Sequence, residues 1–205
     1  MSGTQWRAII DIGVLVSGSG SNLQALIDIP DLGAAIRVVV ADRPGIKALD
    51  RAHQAGIPTA ILPWEDYESR SEFSTAVADT VEGAGAKVVV LAGFMRVLSS
   101  ETVSRFPNRI LNIHPSLLPA FPGANAVAKA LAHGVKVTGV TIHLVDEEVD
   151  HGPIIAQRAV PVLPEDDVAA LHARIQVQEH DLYPRVVRAF VAAEVSVVGG
   201  EVIWR

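Results

Sequence analysis

An α/β fold is what this sequence predicts, as a single domain with a mixed, mostly parallel twisted sheet and helices on both faces. Three observations carry the expectation. Short β-branched runs alternate with helical apolar spacing over the first hundred residues, the pattern of βαβ units around a parallel sheet. The run Lys87-Val88-Val89-Val90-Leu91-Ala92 is apolar almost throughout, as a strand covered on both faces must be. The remainder carries β runs joined by shorter connections, which adds antiparallel strands. At 205 residues the chain has the size of one domain, and such a chain hides roughly 70% of its unfolded surface.

Each element has its own local reason. Residues 12–16 form a short β-branched run, followed by Ser17-Gly18-Ser19-Gly20-Ser21-Asn22 and a helix with Leu23, Leu26 and Ile27 on one face. Residues 36–41 are the second strand, and the turn at 42–45 leads into a helix reaching Ala55. Gly56 and Pro58 punctuate it before a third strand at 59–62. Phe73, Ala76, Val77 and Val81 keep helical spacing, with Ser69 and Glu72 as a capping box and Gly83 or Gly85 as the stop. A short helix at 99–106 precedes the strand 110–114. Pro115, Pro119 and Pro122 then enforce irregular backbone, since proline fixes φ and lacks a donor. Residues 124–133 read as a helix stopped by Gly134, and 137–145 and 154–162 as strands around the loop 146–153. The last helix starts at Asp166 or Asp167 with Val168, Leu171, Ile175, Leu182, Val186 and Phe190 on one face. Pro184 is expected to kink or interrupt it. Residues 195–198 and 201–204 pair as a hairpin around Gly199 and Gly200.

Composition narrows the function. There are 17 basic and 23 acidic side chains, a net charge of −6 that opposes general nucleic-acid binding. The chain has no cysteine, which excludes disulfides, thiolate metal sites and a cysteine nucleophile. The start of the chain carries no signal-like run, and residues 8–16 are too short and too interrupted by Asp11 to span a bilayer. The expectation is a cytoplasmic protein that uses no membrane and no nucleic-acid partner.

The glycine loop opens a helix directly after a strand, where backbone amides and the helix dipole suit an anion. Ser21, with Gln24 three residues on, reads as the N-cap. A phosphate monoester held by Gly20, Ser21 and Asn22 is one reading. A dinucleotide is another, because Asp42 lies 22 residues beyond Gly20, but the third glycine of that fingerprint is replaced by Leu23. An ordinary flexible turn is the third.

Asn112 and His114 are two apart on a strand, so both face the same way, while Leu111 and Ile113 face a core. Pro115 places the pair at the strand's C-terminal end, the edge where open α/β sheets bind ligands. An amide beside an imidazole suits stabilisation of charge developing on a carbonyl oxygen. Asp150 is the candidate carboxylate to favour the charged imidazole and move a proton, with Asp146, Glu147 and Glu148 as competitors by spacing alone.

Leu91-Ala92-Gly93-Phe94-Met95-Arg96, Leu111-Asn112-Ile113-His114-Pro115-Ser116-Leu117-Leu118-Pro119, Phe121-Pro122-Gly123 and Asp150-His151-Gly152-Pro153 together resemble the formyltransferases that use 10-formyltetrahydrofolate. With the glycine loop and Gln176-Val177-Gln178-Glu179-His180, the similarity is strongest to those acting on phosphoribosylglycinamide, and it runs from Val14 to about Phe190. The resemblance implies a formyltransferase-like fold with a Rossmann-like N-terminal half. Residues 12–100 would form the phosphate-binding half and 101–205 the catalytic and folate-binding half of one domain.

It also implies an amine of glycinamide ribonucleotide attacking the formyl carbon of 10-formyltetrahydrofolate, in purine biosynthesis. Asn112, His114 and Asp150 would be catalytic, with no metal. Gly20, Ser21, Asn22, Gln176 and Glu179 would hold the ribonucleotide. Arg70, Met95, Arg96, Val97, Leu98, Val145, Asp146, Glu147 and Asp150 would hold the folate. The protein would be a monomer or homodimer. Two departures from the family pattern stand out: Asn125 replaces a usual histidine, and His151 replaces a usual glycine. The other histidines, His53, His133, His143, His172 and His180, show no metal spacing and read as surface or packing residues. A deformylase, a formyltransferase acting on transfer RNA, and a non-enzymatic nucleotide-binding module are the alternatives. The first two carry further domains for which the chain has no room, and the third has no need of Asn112, His114 and Asp150 together.

Overall fold

The computed structural model describes residues 9–198 and 200–205. Gly199, expected in the terminal turn, and most of the N-terminal stretch examined for a leader lie outside them. The apolar runs become strands β1 (Ile12–Val16), β2 (Ile36–Ala41), β3 (Thr59–Ile61), β4 (Val88–Leu91) and β5 (Ile110–His114), then β6 (Val137–Leu144) and β7 (Ile154–Pro161). They form one sheet in the order β3-β2-β1-β4-β5-β6-β7. The first five run parallel, while β6 and β7 are antiparallel additions, as the sequence led one to expect.

Alternation along each strand sends successive side chains to opposite faces. Val14, Val39, Val90, Leu111 and Ile113 meet one core, which α1 (Ser21–Ile27), α3 (Lys47–Gln54) and α7 (Val168–Val191) cover. Leu15, Val40, Val89, Leu91 and Ile110 meet the other, under α4 (Arg70–Gly83) and α5 (Ser100–Arg105). Tyr183, fully buried on α7, donates its hydroxyl toward the carbonyls of Leu91 (2.9 Å) and Leu111 (3.3 Å). That bond clamps the seam between β4 and β5, immediately before Asn112.

The expected boundaries hold within a residue or two, and five features differ from expectation. A short helix α2 (Pro30–Gly33) and a 3-10 turn (Trp64–Asp66) were not anticipated. Helix α6 (Ala126–His133) starts two residues late because Asn125 occupies its N-cap in left-handed backbone, φ 61°. The cap of α1 is Gly20, not Ser21; its φ of 69° is left-handed, and a Cβ there would lie 2.7 Å from Ala48. Pro184 does not interrupt α7: it removes one amide donor, but burial of Val186, Val187, Phe190 and Val191 beyond it keeps the chain helical. Ser69 caps α4 as expected, accepting from the Glu72 amide at 3.1 Å. The terminal strands β8 (Val195–Val198) and β9 (Glu201–Trp204) form a separate antiparallel pair. No helix among the described residues is long and apolar enough to cross a membrane.

Candidate active site

Helices α4 and α5 cover their face of the sheet as far as Ile110. Past that point Asn112 and His114 line a pocket of about 310 Å³ at the C-terminal edge of β4 and β5. Residues 93–98, the turn at 123–126 and the loop 145–150 complete its wall. This size is at the small end for a ligand cleft.

Asp150 reaches the pair from the loop after β6. Its Oδ2 lies 3.2 Å from His114 Nδ1 and accepts the Gly123 amide at 2.7 Å, and its Oδ1 accepts from Asn112 Nδ2 at 3.3 Å. Its backbone is left-handed, φ 54°, a conformation costly for a side-chain-bearing residue and sustained here by these contacts. Behind it, Gly152 packs where a Cβ would meet the Leu144 carbonyl oxygen at 2.1 Å. Burial opposes ionisation of Asp150, yet the hydrogen bond from His143, the Gly123 amide and the two imidazoles outweigh it. The carboxyl is held below the usual range.

His114 is buried, and both its ring nitrogens face oxygen acceptors: Asp150 Oδ2 and the Phe121 carbonyl, the latter 2.9 Å from Nε2. A ring carrying N–H at both positions satisfies both; a neutral ring satisfies one. Thr141 Oγ1 fixes the turn that follows β5, donating to the Ser116 carbonyl at 2.7 Å and accepting the Leu118 amide at 3.0 Å.

His143, which reads from sequence as a surface or packing residue, is buried beside the cluster. It is 1% exposed, and in the β5–β6 register it stands directly opposite Asn112. Its Nδ1 donates to the Leu144 carbonyl (2.8 Å), and its Nε2 lies 3.1 Å from Asn112 Nδ2. His143 Nε2 and Asp150 Oδ1 are only 3.5 Å apart. Asn112 Nδ2 thus faces both of them from the pocket side of β5. Period-two spacing puts His143 and Thr141 on one face of β6, but the 22-residue connection from β5 hides the register that pairs it with Asn112.

Met95, Arg96, Val97, Leu98, Val145, Asp146, Glu147 and Asp150 all line the pocket. Met95 is 72% exposed at its rim, whereas Leu98 is buried. Asn125 lines it too, as do Glu148 and Val149. Arg70 does not; it opens α4 on the exposed surface. His151, also outside the pocket lining, pairs through Nδ1 with Asp146 Oδ2 at 2.8 Å and so ties the two ends of the loop together. The Asp146 hydrogen bond and charge, with Glu148 adding to them, raise the His151 pKa.

A second cluster forms at the glycine loop. Asn22 Nδ2 donates to Glu179 Oε2 at 3.0 Å, both side chains being buried, and Asn22 Oδ1 has no partner among the described residues. The first amides of α1 have no intrahelical acceptor. Arg51, not singled out from sequence, binds the loop by donating to the Ser19 carbonyl and to Gln24 Oε1, each at 2.9 Å. Gln176 lies one turn before Glu179 on α7 and is half-buried. Asp42 is not free to bind a ribose: it is fully buried and paired with Arg96 and Arg43, which removes the dinucleotide alternative.

The formyl transferase family model matches residues 10–187. A phosphoribosylglycinamide formyltransferase of Mycobacterium tuberculosis (strain H37Rv) is 46% identical over 188 residues, 91% of this chain and 87% of that protein. The human trifunctional purine biosynthetic protein adenosine-3 is 44% identical over 197 residues, and the chain, matched over 94% of its own length, spans 20% of that larger protein. The crystal structure of glycinamide ribonucleotide transformylase 1 from Symbiobacterium toebii superposes with a TM-score of 0.92 at 46% identity, covering 96% of this chain and 94% of that one. With the family matched across most of its length and a relative of comparable size at that identity, the chain belongs to the formyl transferase family.

Proposed function

We propose that the chain transfers the formyl group of 10-formyltetrahydrofolate to the amine of glycinamide ribonucleotide, giving the N-formyl ribonucleotide and tetrahydrofolate. The observation that carries this reading is the convergence of Asn112, His114 and Asp150 on one pocket edge, in a chain whose relatives of similar length are named for that reaction.

The formyl donor is a substrate whose ring system enters the pocket between residues 93–98 and 145–150, with its reactive carbon toward Asn112 and His114. The amine nitrogen attacks the formyl carbon, forming one C–N bond and placing negative charge on the formyl oxygen. An N–H of Asn112 and an N–H of His114, the latter released from the Phe121 carbonyl, hold that oxygen. Asp150 holds His114 through Nδ1 and relays, through water, the proton lost by the attacking nitrogen to the folate nitrogen as its C–N bond breaks. Atoms and charge balance with no covalent enzyme intermediate.

The ribonucleotide phosphate takes the amides of Gly20, Ser21 and Asn22 next to the positive Arg51, and Glu179 accepts from the ribose hydroxyls, with Gln176 alongside. The buried, unpartnered Asn22 Oδ1 supports this assignment, because a ligand donor would satisfy it. The test is product analysis: incubation with both substrates should yield the formylated ribonucleotide in step with tetrahydrofolate. Release of formate without the ribonucleotide would make the protein a hydrolase instead.

A further inference from the structure

Asp42 has no part in the chemistry above, yet it is a charged side chain with no exposure at the C-terminal end of β2. Burying a carboxylate is unfavourable unless it is paired and hydrogen-bonded, so its partners show what its burial holds in place. Arg96 Nε donates to its Oδ2 at 2.8 Å, and Arg43 donates to both oxygens at 3.2 Å. The Ser17 hydroxyl also favours its charged form, and Ser17 Oγ accepts the Met95 backbone amide at 2.8 Å. The Arg96 guanidinium lies 4.9 Å from the Trp64 ring centroid, fixed from its other side.

Asp42 therefore grips two successive residues of the 93–98 segment, Met95 by its backbone through Ser17 and Arg96 by its side chain. One residue earlier, Phe94 is stacked on Phe73, with ring centroids 6.2 Å apart. The segment is thus pinned into the core at Phe94 and to the ends of β1 and β2 at Met95 and Arg96. Its remaining face forms the pocket wall.

We propose that Asp42 is a positioning residue for the formyl-donor pocket: through Ser17 and Arg96 it holds the 93–98 backbone in the shape that binds the donor's ring system. This rests on the reading of that pocket given above. The aspartate that resembled a ribose ligand of a dinucleotide site is, on this account, the anchor of a wall belonging to a different substrate. Asp42 makes none of the side-chain hydrogen bonds of the ribonucleotide cluster, which run among Asn22, Glu179, Arg51, Gln24 and the Ser19 carbonyl, so its loss should act on the donor more than on the ribonucleotide.

The test compares Asp42→Ala, Asp42→Asn, Arg96→Ala and the Asp42→Ala/Arg96→Ala double variant. It measures kcat, KM for each substrate, and direct calorimetric binding of 10-formyltetrahydrofolate. Asp42→Ala should raise donor KM and Kd about tenfold, the scale of one lost charge-assisted hydrogen bond. The ribonucleotide KM and kcat should stay within about twofold, because binding and chemistry respond separately when only ground-state positioning is lost. Asp42→Asn, which retains an acceptor oxygen for Arg96, should recover most of the donor affinity. The double variant should bind donor no worse than the weaker single variant.

Unchanged donor affinity in folded Asp42→Ala overturns the proposal, and so does a parallel fall in kcat and both affinities, the mark of a general structural role. If Asp42→Ala does not fold, Ser17→Ala, which removes the acceptor of the Met95 amide, makes the comparison: raised donor Kd with unchanged ribonucleotide KM supports the proposal, and unchanged donor affinity overturns it. A wild-type protein that does not bind the donor contradicts the pocket assignment itself and takes the proposal with it.

Discussion

Replacing Asp150 by Asn keeps the shape of the side chain and removes its charge. Four donors or potential donors converge on the carboxylate: the Gly123 amide at 2.7 Å, His114 Nδ1 at 3.2 Å, Asn112 Nδ2 at 3.3 Å and His143 Nε2 at 3.5 Å. An asparagine has one acceptor oxygen. If that oxygen keeps Gly123 and His114, its amide nitrogen is driven against the Asn112 amide, donor to donor. The fold should survive, because a buried carboxylate's desolvation is relieved as its hydrogen bonds are lost. Proton transfer should not. General acid–base assistance is worth about 10²–10⁴-fold, so kcat is expected to fall by that factor, equivalent to about 3–5 kcal/mol of transition-state stabilisation. KM for either substrate should change little. Steady-state formation of tetrahydrofolate, with circular dichroism and a melting curve on the same sample, reads all of this. A folded Asp150→Asn enzyme with kcat within a few-fold of wild type would refute the relay.

Further outcomes follow from the same geometry. His143→Ala should lower kcat about tenfold by freeing Asn112 and Asp150 to rotate, with His143→Gln recovering part of the loss; steady-state kinetics on both decides this. Gly152→Ala should impair transfer through the loop that presents Asp150, since its Cβ would collide with the Leu144 carbonyl; unchanged kinetics would show that the loop yields. Asn22→Ala and Glu179→Gln should each raise ribonucleotide KM about tenfold without affecting donor affinity, and their double variant should fall short of the sum because they are bonded to each other. Asp150 and Asp42 are both held below the ordinary carboxylate range in the folded protein. Their contribution to stability is therefore present above pH about 4 and is lost as pH falls below it through the folded values, which acid unfolding followed by tryptophan fluorescence should register. His151 has the opposite sign: its raised pKa makes its pairing with Asp146 strongest below pH about 6.5 and weaker as pH rises above that, visible in its imidazole NMR titration.

The strands and helices were legible because local rules decide them. The 87–92 run had to be a doubly covered strand, Ser69 had to cap one helix and Asp166 or Asp167 to open another (Asp167 is the cap), and Gly134 had to end one. Asn112 and His114 were legible as a pair for the same reason, since period two and Pro115 are both local. What stayed hidden depends on pairing across long connections. Nothing in residues 137–145 announces that His143 falls opposite Asn112, and only the β5–β6 register makes it part of the cluster. Asp42 stays open between a ribose ligand and a turn residue in the sequence, because spacing from a glycine loop says nothing about which arginine a distant loop will bring to it. Ser21 was preferred as a cap over Gly20 on side-chain chemistry, but the close approach of Ala48 leaves room only for glycine at the left-handed position. Arg70 was placed near the folate by resemblance alone, and in this fold it stands away from the pocket lining.

The most direct test of the account is to supply 10-formyltetrahydrofolate with and without glycinamide ribonucleotide and identify where the formyl carbon goes. Following an isotopically labelled formyl group gives the answer in one experiment. The account predicts label in the N-formyl ribonucleotide, one equivalent per tetrahydrofolate formed, and no turnover when the ribonucleotide is omitted. Label released as formate, at a rate indifferent to the ribonucleotide, would contradict it.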